Sequence, residues 1–508
     1  MRHKTLRLCA LLGIQLCLGC RQNSPVEDTR TFVLVQSDDI LGLSPNRSME
    51  WHTSGVLSNV YESLVVLDAN MKLLPALAES WESPDKLTWR FHIRHGVAFH
   101  GGRTLAAQDV KYSIEDLLAA APEEYSNLLR AVGSVEAVDH FTVDIKTTSP
   151  VRLLNELCYV SIVPAGWTLG DDGRPPPGTG PYRVAEWKRG ERLRMEAVPG
   201  YWGGEPAVKR ALMLIVPDAD ERVRTIVGGR ADMIADPPRA RIAELMAQGN
   251  LTLLTRRGLL VIMMVFDLGR EQTPGIAGKN PLLDIRVRQA INLAIDRQAI
   301  IEGTLHGYGT EATQLLPPDV FGYDDKVKNL PRDPGTAKQL LAKAGYTNGF
   351  KVVMHVRDIR LAVAQALKEQ LKEIGVELDV RSLNGRDFHS TMVRGESSLV
   401  IIGWSCDAGD GQSAFDFCFW QPPNAKETWM GNMGGYRDPD MHAILAALHA
   451  TIDQRERLSL LERAGEIVTR DLPVLPLYVE DPILAITDKY RYEPRADGKV
   501  SLFEVRPR

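Results

Sequence analysis

Three histidines, His92, His95 and His100, fall within nine positions of the stretch RFHIRHGVAFHGG, so metal binding is the first chemistry to test. The alternation KLTWRFHIR predicts an extended strand with Leu87, Trp89, Phe91 and Ile93 on one face and Arg90, His92 and Arg94 on the other. His95 then falls in the turn and His100 beyond it, so no spacing rule directs three imidazoles at one point. A pair such as His-x-x-x-His on one helical face is absent as well, and no metal is expected here. The chain carries no G-x-S-x-G, no H-E-x-x-H and no Walker-type glycine loop, and Cys158 has no local partner for nucleophilic work. These absences speak against an enzyme, and no cofactor is expected.

Two further residue groups bear on compartment. Arg2, His3, Lys4 and Arg7 precede an apolar run from Leu8 to Leu18, which Gly19 and Cys20 follow. The run is too short to stay across a bilayer and reads as an export signal, residues 1–20, with a polar tether over 21–30. Loss of the signal removes Cys9 and Cys17, leaving Cys20, Cys158, Cys406 and Cys418. These are too few for a disulfide scaffold. Cys406 and Cys418, twelve apart, are candidates for a single disulfide in an oxidising compartment, or else two buried small hydrophobes.

A length of 508 residues allows two or three domains, each with its own core. With 44 % hydrophobic residues, 25 % charged residues and a net charge of −5, the chain has the composition of a globular protein with no basic block for nucleic acid. The longest later apolar run, LLVIMMVF at 259–266, has strand length. TFVLVQ opens the ordered chain as a strand, and RPPPGTGPY at 174–182 marks a crossover between substructures. From Asp284, a plausible N-cap, helical and extended patterns alternate. The expected helix bearing Val287, Ile291, Ala294 and Ile295 is followed by one over RDPGTAKQLLAKAGY, the strand FKVVMHV, a helix over LAVAQALKEQLKEIG and the strand VELDV. That order predicts an α/β domain with helices on its sheet faces.

Several stretches together resemble one family, the peptide and nickel class of bacterial extracytoplasmic solute-binding proteins that serve ABC importers (family 5). They are YESLVVLDANMKLLPALAESWESPDKLTWRFHIRHGVAFHGG, GTGPYRVAEWKRGERLRMEAVPGYWGG, LLDIRVRQAINLAIDRQAII, IIGWSCDAGDGQSAF and NMGGYRDPDMHAIL, in the family order. The resemblance implies an α/β, two-lobe periplasmic-binding-protein fold of type II, with an extra subdomain in the first lobe and the ligand cleft between lobes. Lobe I is expected at 30–49, 178–270 and 484–508, the extra subdomain at 50–177 and lobe II at 271–483. The expected hinge crossings are near Asp267 to Asn280 and Glu480 to Ile486. In the family, PALAESW is helical and leads into a hairpin, and the histidine stretch is scaffold. The residues before Cys20 resemble a lipoprotein signal, with Cys17 standing where leucine is usual, and this implies lipidation of Cys20 and a lipid anchor at the extracytoplasmic face.

Site residues follow from the same resemblance. The aspartate of G-W-x-x-D, here Asp407 in GWSCD, pairs with the α-ammonium of a peptide in relatives, and Trp404 is expected as a cleft wall. Arg360 in VRDIRLAVAQAL occupies the place of a carboxylate-binding arginine. The implied function is capture of a small solute, most readily a short peptide, by a monomeric receptor. Hinge closure then precedes delivery to an ABC permease and ATPase complex in the inner membrane. Alternatives on the same scaffold are a nickel chelate, an oligosaccharide, an opine, haem, or a signalling role. After Asp407 the chain departs from the family's Asp-Tyr-Pro-Asp-Pro form, which weakens the case for a standard dipeptide pocket.

Overall fold

The computed structural model describes residues 31–47, 50–120, 129–167, 175–276, 278–421 and 431–508. The export signal, the tether and Cys20 lie outside the described residues. Among those described, no helix is long and apolar enough to cross a membrane.

Three sheets organise the chain. The first has seven strands in the order Leu251–Thr255, Ile483–Thr487, Met233–Ala235, Thr31–Gln36, Arg210–Ile215, Arg192–Ala197 and Tyr182–Lys188. The second has six, in the order Gly309–Glu311, Val474–Glu480, Leu260–Phe266, Leu399–Ser405, Phe350–Arg357 and Val376–Leu383. A third, of four strands, runs Ala78–Asp85, Thr88–Ile93, Thr142–Thr147 and Val132–Ala137. The bodies built on them are lobe I, lobe II and the subdomain.

The apolar run at 259–266 shows why composition and topology agree. Ile262, Met264 and Phe266 point into a core shared with the helices Ile285–Ala294, Arg297–Leu305, Pro334–Lys343 and Leu361–Lys372. Leu259, Met263 and Val265 point the other way, into a core shared with Gln412–Phe419, Pro439–Leu448 and Gln454–Asp471. A strand covered on both faces needs apolar residues at every position, each fully buried side chain contributing about 1.5–3 kcal/mol. Asp284 caps its helix as the sequence suggests, accepting from the Arg286 amide at 2.9 Å, and Ile295 falls just past the helix end.

Several boundaries differ from expectation. The chain passes from lobe I to lobe II at 256–259, because Leu251–Thr255 pairs in the first sheet and Leu260–Phe266 already pairs with Leu399–Ser405 and Val474–Glu480. It returns through Asp481 and Pro482, so Ile483 belongs to the first sheet. Residues 51–61, expected in the subdomain, pack Val56, Leu57, Val60 and Tyr61 into the lobe I core, whereas the subdomain core begins at Leu64. ALAESW is not helical. Ser80 and Trp81 pair with His92 and Phe91, so a sheet partner overrides the helical preference of Ala, Leu and Glu. Leu87 lies outside the strand Thr88–Ile93 and is 41 % exposed.

The three histidines are separated. His92 approaches Glu82 at 3.9 Å, and the His95 ring lies 3.9 Å from that of Phe141. His100 sits against the crossover, where its amide donates to the Gly178 carbonyl at 2.8 Å and its Nε2 lies 2.9 Å from the Gly180 carbonyl oxygen. Burial lowers the pKa of that ring. Gly178 is required there, since a Cβ would stand 1.9 Å from the Val60 carbonyl oxygen.

Candidate functional site

The strands Phe350–Arg357, Leu399–Ser405 and Val474–Glu480 end on the same edge of the second sheet: the first two run parallel, and Val474–Glu480 brings Glu480 level with Leu260, opposite Ser405. Arg360, Asp407 and Glu480 therefore leave the sheet together, on the side that meets lobe I. In open α/β sheets, the carboxyl ends of strands are where ligands bind.

Asp407 follows its strand by two residues and is half-buried, with its carboxylate accepting a hydrogen bond from the Ser405 hydroxyl. Burial raises its pKa, while Lys499, the Ser405 hydroxyl and Arg495 pull it down and Asp497 opposes them. Lys499, Asp497 and Arg495 come from the C-terminal segment of lobe I, so Asp407 looks across the gap between lobes. Tyr159 of the subdomain joins them, with Lys499 Nζ 5.7 Å from its ring centre. Trp404 is half-buried and stacks on Phe417 at 4.2 Å between ring centres, its Nε1 donating to Ser413 Oγ at 3.4 Å. Asp410 turns away, accepting from Arg457 at 2.8 Å where both side chains are buried.

Arg360 is not a free cation. Its guanidinium forms an ion pair with Glu480 Oε2, and its Nη1 lies 3.5 Å from the Tyr478 hydroxyl. Burial works against the charged form of Arg360, but the Glu480 carboxylate and the Tyr478 hydroxyl together outweigh it and the pKa is raised. Glu480 Oε1 also accepts from Arg239 Nη2 of lobe I at 2.9 Å. One carboxylate at the crossover thus binds an arginine from each lobe.

The subdomain closes a further side. Asn155 Nδ2 donates to the Ala408 carbonyl in the loop after Asp407, and Met71 and Leu67 pack into the lobe II core. Glu156, next to Asn155, has an Oε2 with no hydrogen-bond partner among the described residues. Burial and the charge of Asp410 push its carboxyl up to about 7 against the pull of Arg457 and Arg152.

Cys406 and Cys418 are both buried free thiols, so of the two alternatives the sequence leaves open the disulfide is not formed; Cys418 Sγ lies 3.6 Å from Met263 Sδ in the lobe II core. Burial pushes both thiols up. Among the described residues no group of three His, Cys, Asp or Glu side chains is placed to hold a metal. Sequence reasoning missed Glu480, Arg239, Lys499 and Tyr159. Only Glu480 left a signal, as one of two consecutive acids between the apolar runs LPLYV and PILAI.

A family model, "Bacterial extracellular solute-binding proteins, family 5 Middle", matches residues 72–425. Heme-binding protein A of Haemophilus influenzae is 30 % identical over 488 residues, covering 88 % of this chain and 86 % of the relative. The dipeptide-binding protein of Escherichia coli is 27 % identical over 441 residues, covering 80 % of each chain. Among solved structures, HbpA2 from Haemophilus parasuis superposes with a TM-score of 0.79 at 26 % identity, covering 94 % of this chain and all of that one. Two lobes joined by two crossings, with a subdomain on one lobe, agree with these matches. The chain belongs to family 5 of the bacterial extracellular solute-binding proteins and is the non-enzymatic substrate-binding protein of an ABC transporter.

Proposed function

We propose that this receptor captures a short peptide between its lobes and is held at the extracytoplasmic face by lipid on Cys20. The observation that carries the peptide reading is the position of Asp407: a carboxylate at a strand end, half-buried, facing lobe I and, among the described residues, hydrogen-bonded by a single hydroxyl. A peptide ammonium offers three donors, and charge-assisted hydrogen bonds strengthen as closure excludes water. Trp404, stacked on Phe417, supplies a rigid wall. Closure is favoured by ligand because only the closed state makes contacts from both lobes at once. Arg360 reaches a ligand carboxylate only by sharing or releasing Glu480.

The tie between Arg360 and Glu480, together with the identity to a haem-binding relative, supports a second reading in which the ligand is not a peptide. Native mass spectrometry of the chain purified without added ligand, followed by denaturation, separates the two. A set of short peptides that is lost in Asp407→Ala supports the first reading. Release of one non-peptide compound replaces it with the second.

A further inference from the structure

Lobe II contains a cavity of about 310 Å³ outside the cleft, between the helices Ile285–Ala294 and Gln454–Asp471 and the loop over 313–330. Its lining is mainly apolar, with Phe415, Leu330 and Leu472 among the walls. Two of the polar groups in the lining stand out. Arg297 is only 5 % exposed; its Nε donates to the Pro476 carbonyl at 2.9 Å and its Nη2 to Asn292 Oδ1 at 2.8 Å, yet no ion pair with a carboxylate is formed among the described residues. Glu311, whose charge acts on it, is exposed and accepts from Asn329. The buried hydroxyl of Thr313 has no hydrogen-bond partner among the described residues. Buried cations are ordinarily paired and buried hydroxyls ordinarily bonded, so this pair lacks an anion with acceptor oxygens.

Gly465 makes the cavity hard to dismiss as a packing defect. It stands in the middle of the helix Gln454–Asp471, where glycine is destabilising relative to alanine. No atom lies within 4 Å of a Cβ built on it, so close packing does not require glycine. What its missing side chain does is leave the cavity open.

We propose that this cavity is a second binding site, for a small carboxylic acid with an apolar body: the carboxylate meets Arg297 and the Thr313 hydroxyl, and the body lies along Leu330, Leu472 and Phe415. A cavity of about 150 Å³ holds benzene, so this one admits a ligand of roughly a dozen non-hydrogen atoms. Exposed Lys328 at the rim adds a second positive charge to attract the anion.

Isothermal titration of the purified chain with octanoate tests the assignment. The expected result is saturable binding at one site, at least tenfold tighter than that of octan-1-ol and unchanged in Asp407→Ala. Gly465→Leu, whose Cβ meets no atom within 4 Å, is expected to fill the cavity, to keep its thermal transition and to weaken octanoate at least tenfold. Arg297→Gln is expected to weaken it as well; should that variant misfold, Gly465→Leu carries the test. No saturable heat in the wild type, unaltered binding in Gly465→Leu, or loss in Asp407→Ala each overturns the site, and octan-1-ol binding as tightly as octanoate overturns the role of Arg297.

Discussion

Gly258 lies so close to Glu480 that a Cβ built on it would stand 2.0 Å from the Glu480 carbonyl oxygen. The two residues belong to the two crossings between lobes, which run side by side, and the Gly258 amide donates to Asp481 Oδ1 at 3.1 Å. The crossings therefore form one narrow ribbon rather than two independent linkers.

Gly258→Ala is expected to destabilise the chain by about 1–3 kcal/mol, because the clash is with backbone that only a shift of the ribbon relieves. Gly303→Ala serves as the contrast. That glycine is helical with open space around a Cβ, and alanine there is expected to stabilise by about 0.5–1 kcal/mol. Chemical denaturation of both variants checks the difference in sign.

Asp407→Asn keeps the shape of the side chain and removes its charge. If the ammonium of a peptide is its partner, affinity is expected to fall about 10- to 100-fold, corresponding to roughly 1.5–3 kcal/mol for a hydrogen bond to a charged group. Calorimetry with a peptide and its N-acetylated form measures this: acetylation is expected to weaken the wild type strongly and Asp407→Asn little.

Glu480 holds Arg360 in the wild type, so peptides with free and amidated C-termini are expected to bind the wild type with similar affinity. Glu480→Gln releases the guanidinium, and a preference of about tenfold for the free acid is then expected. The substitution is also expected to cost stability of about 1–3 kcal/mol, since two enclosed arginines lose their carboxylate. A wild type that already prefers the free acid tenfold would show that Arg360 changes partner when ligand arrives.

Glu156 gives the stability of the chain a dependence on pH. Its carboxyl is pushed from the ordinary 4.5 up to about 7, so between those values the folded chain holds a proton that the unfolded chain has lost. Its contribution is present below about pH 4.5 and is lost as pH rises through about 7, a loss on the order of 1–2 kcal/mol once solvent reaching the side chain is allowed for. Comparison of urea midpoints for the wild type and Glu156→Gln between pH 5 and 8 is expected to show a steeper loss with rising pH in the wild type.

The sequence by itself determined the elements whose signal is local. Asp284 marked a helix start because an N-cap acts on amides two or three residues away, and LLVIMMVF announced a strand by the length of its unbroken apolar run. Motif order determined the family, and with it Asp407 and Trp404 as candidates near one sheet edge. Tertiary structure decided the rest. PALAESW became part of a strand because Thr88–Ile93 offered a ladder, and the first crossing moved to 256–259 because pairing, not hydropathy, assigns a strand to a sheet. Arg360 changed from a free cation to a bound one because Glu480, 120 positions later, returns along another strand of the same sheet, with its end on the same side. Charge balance in a cleft is set by distances across the fold, and no spacing along the chain carries that information.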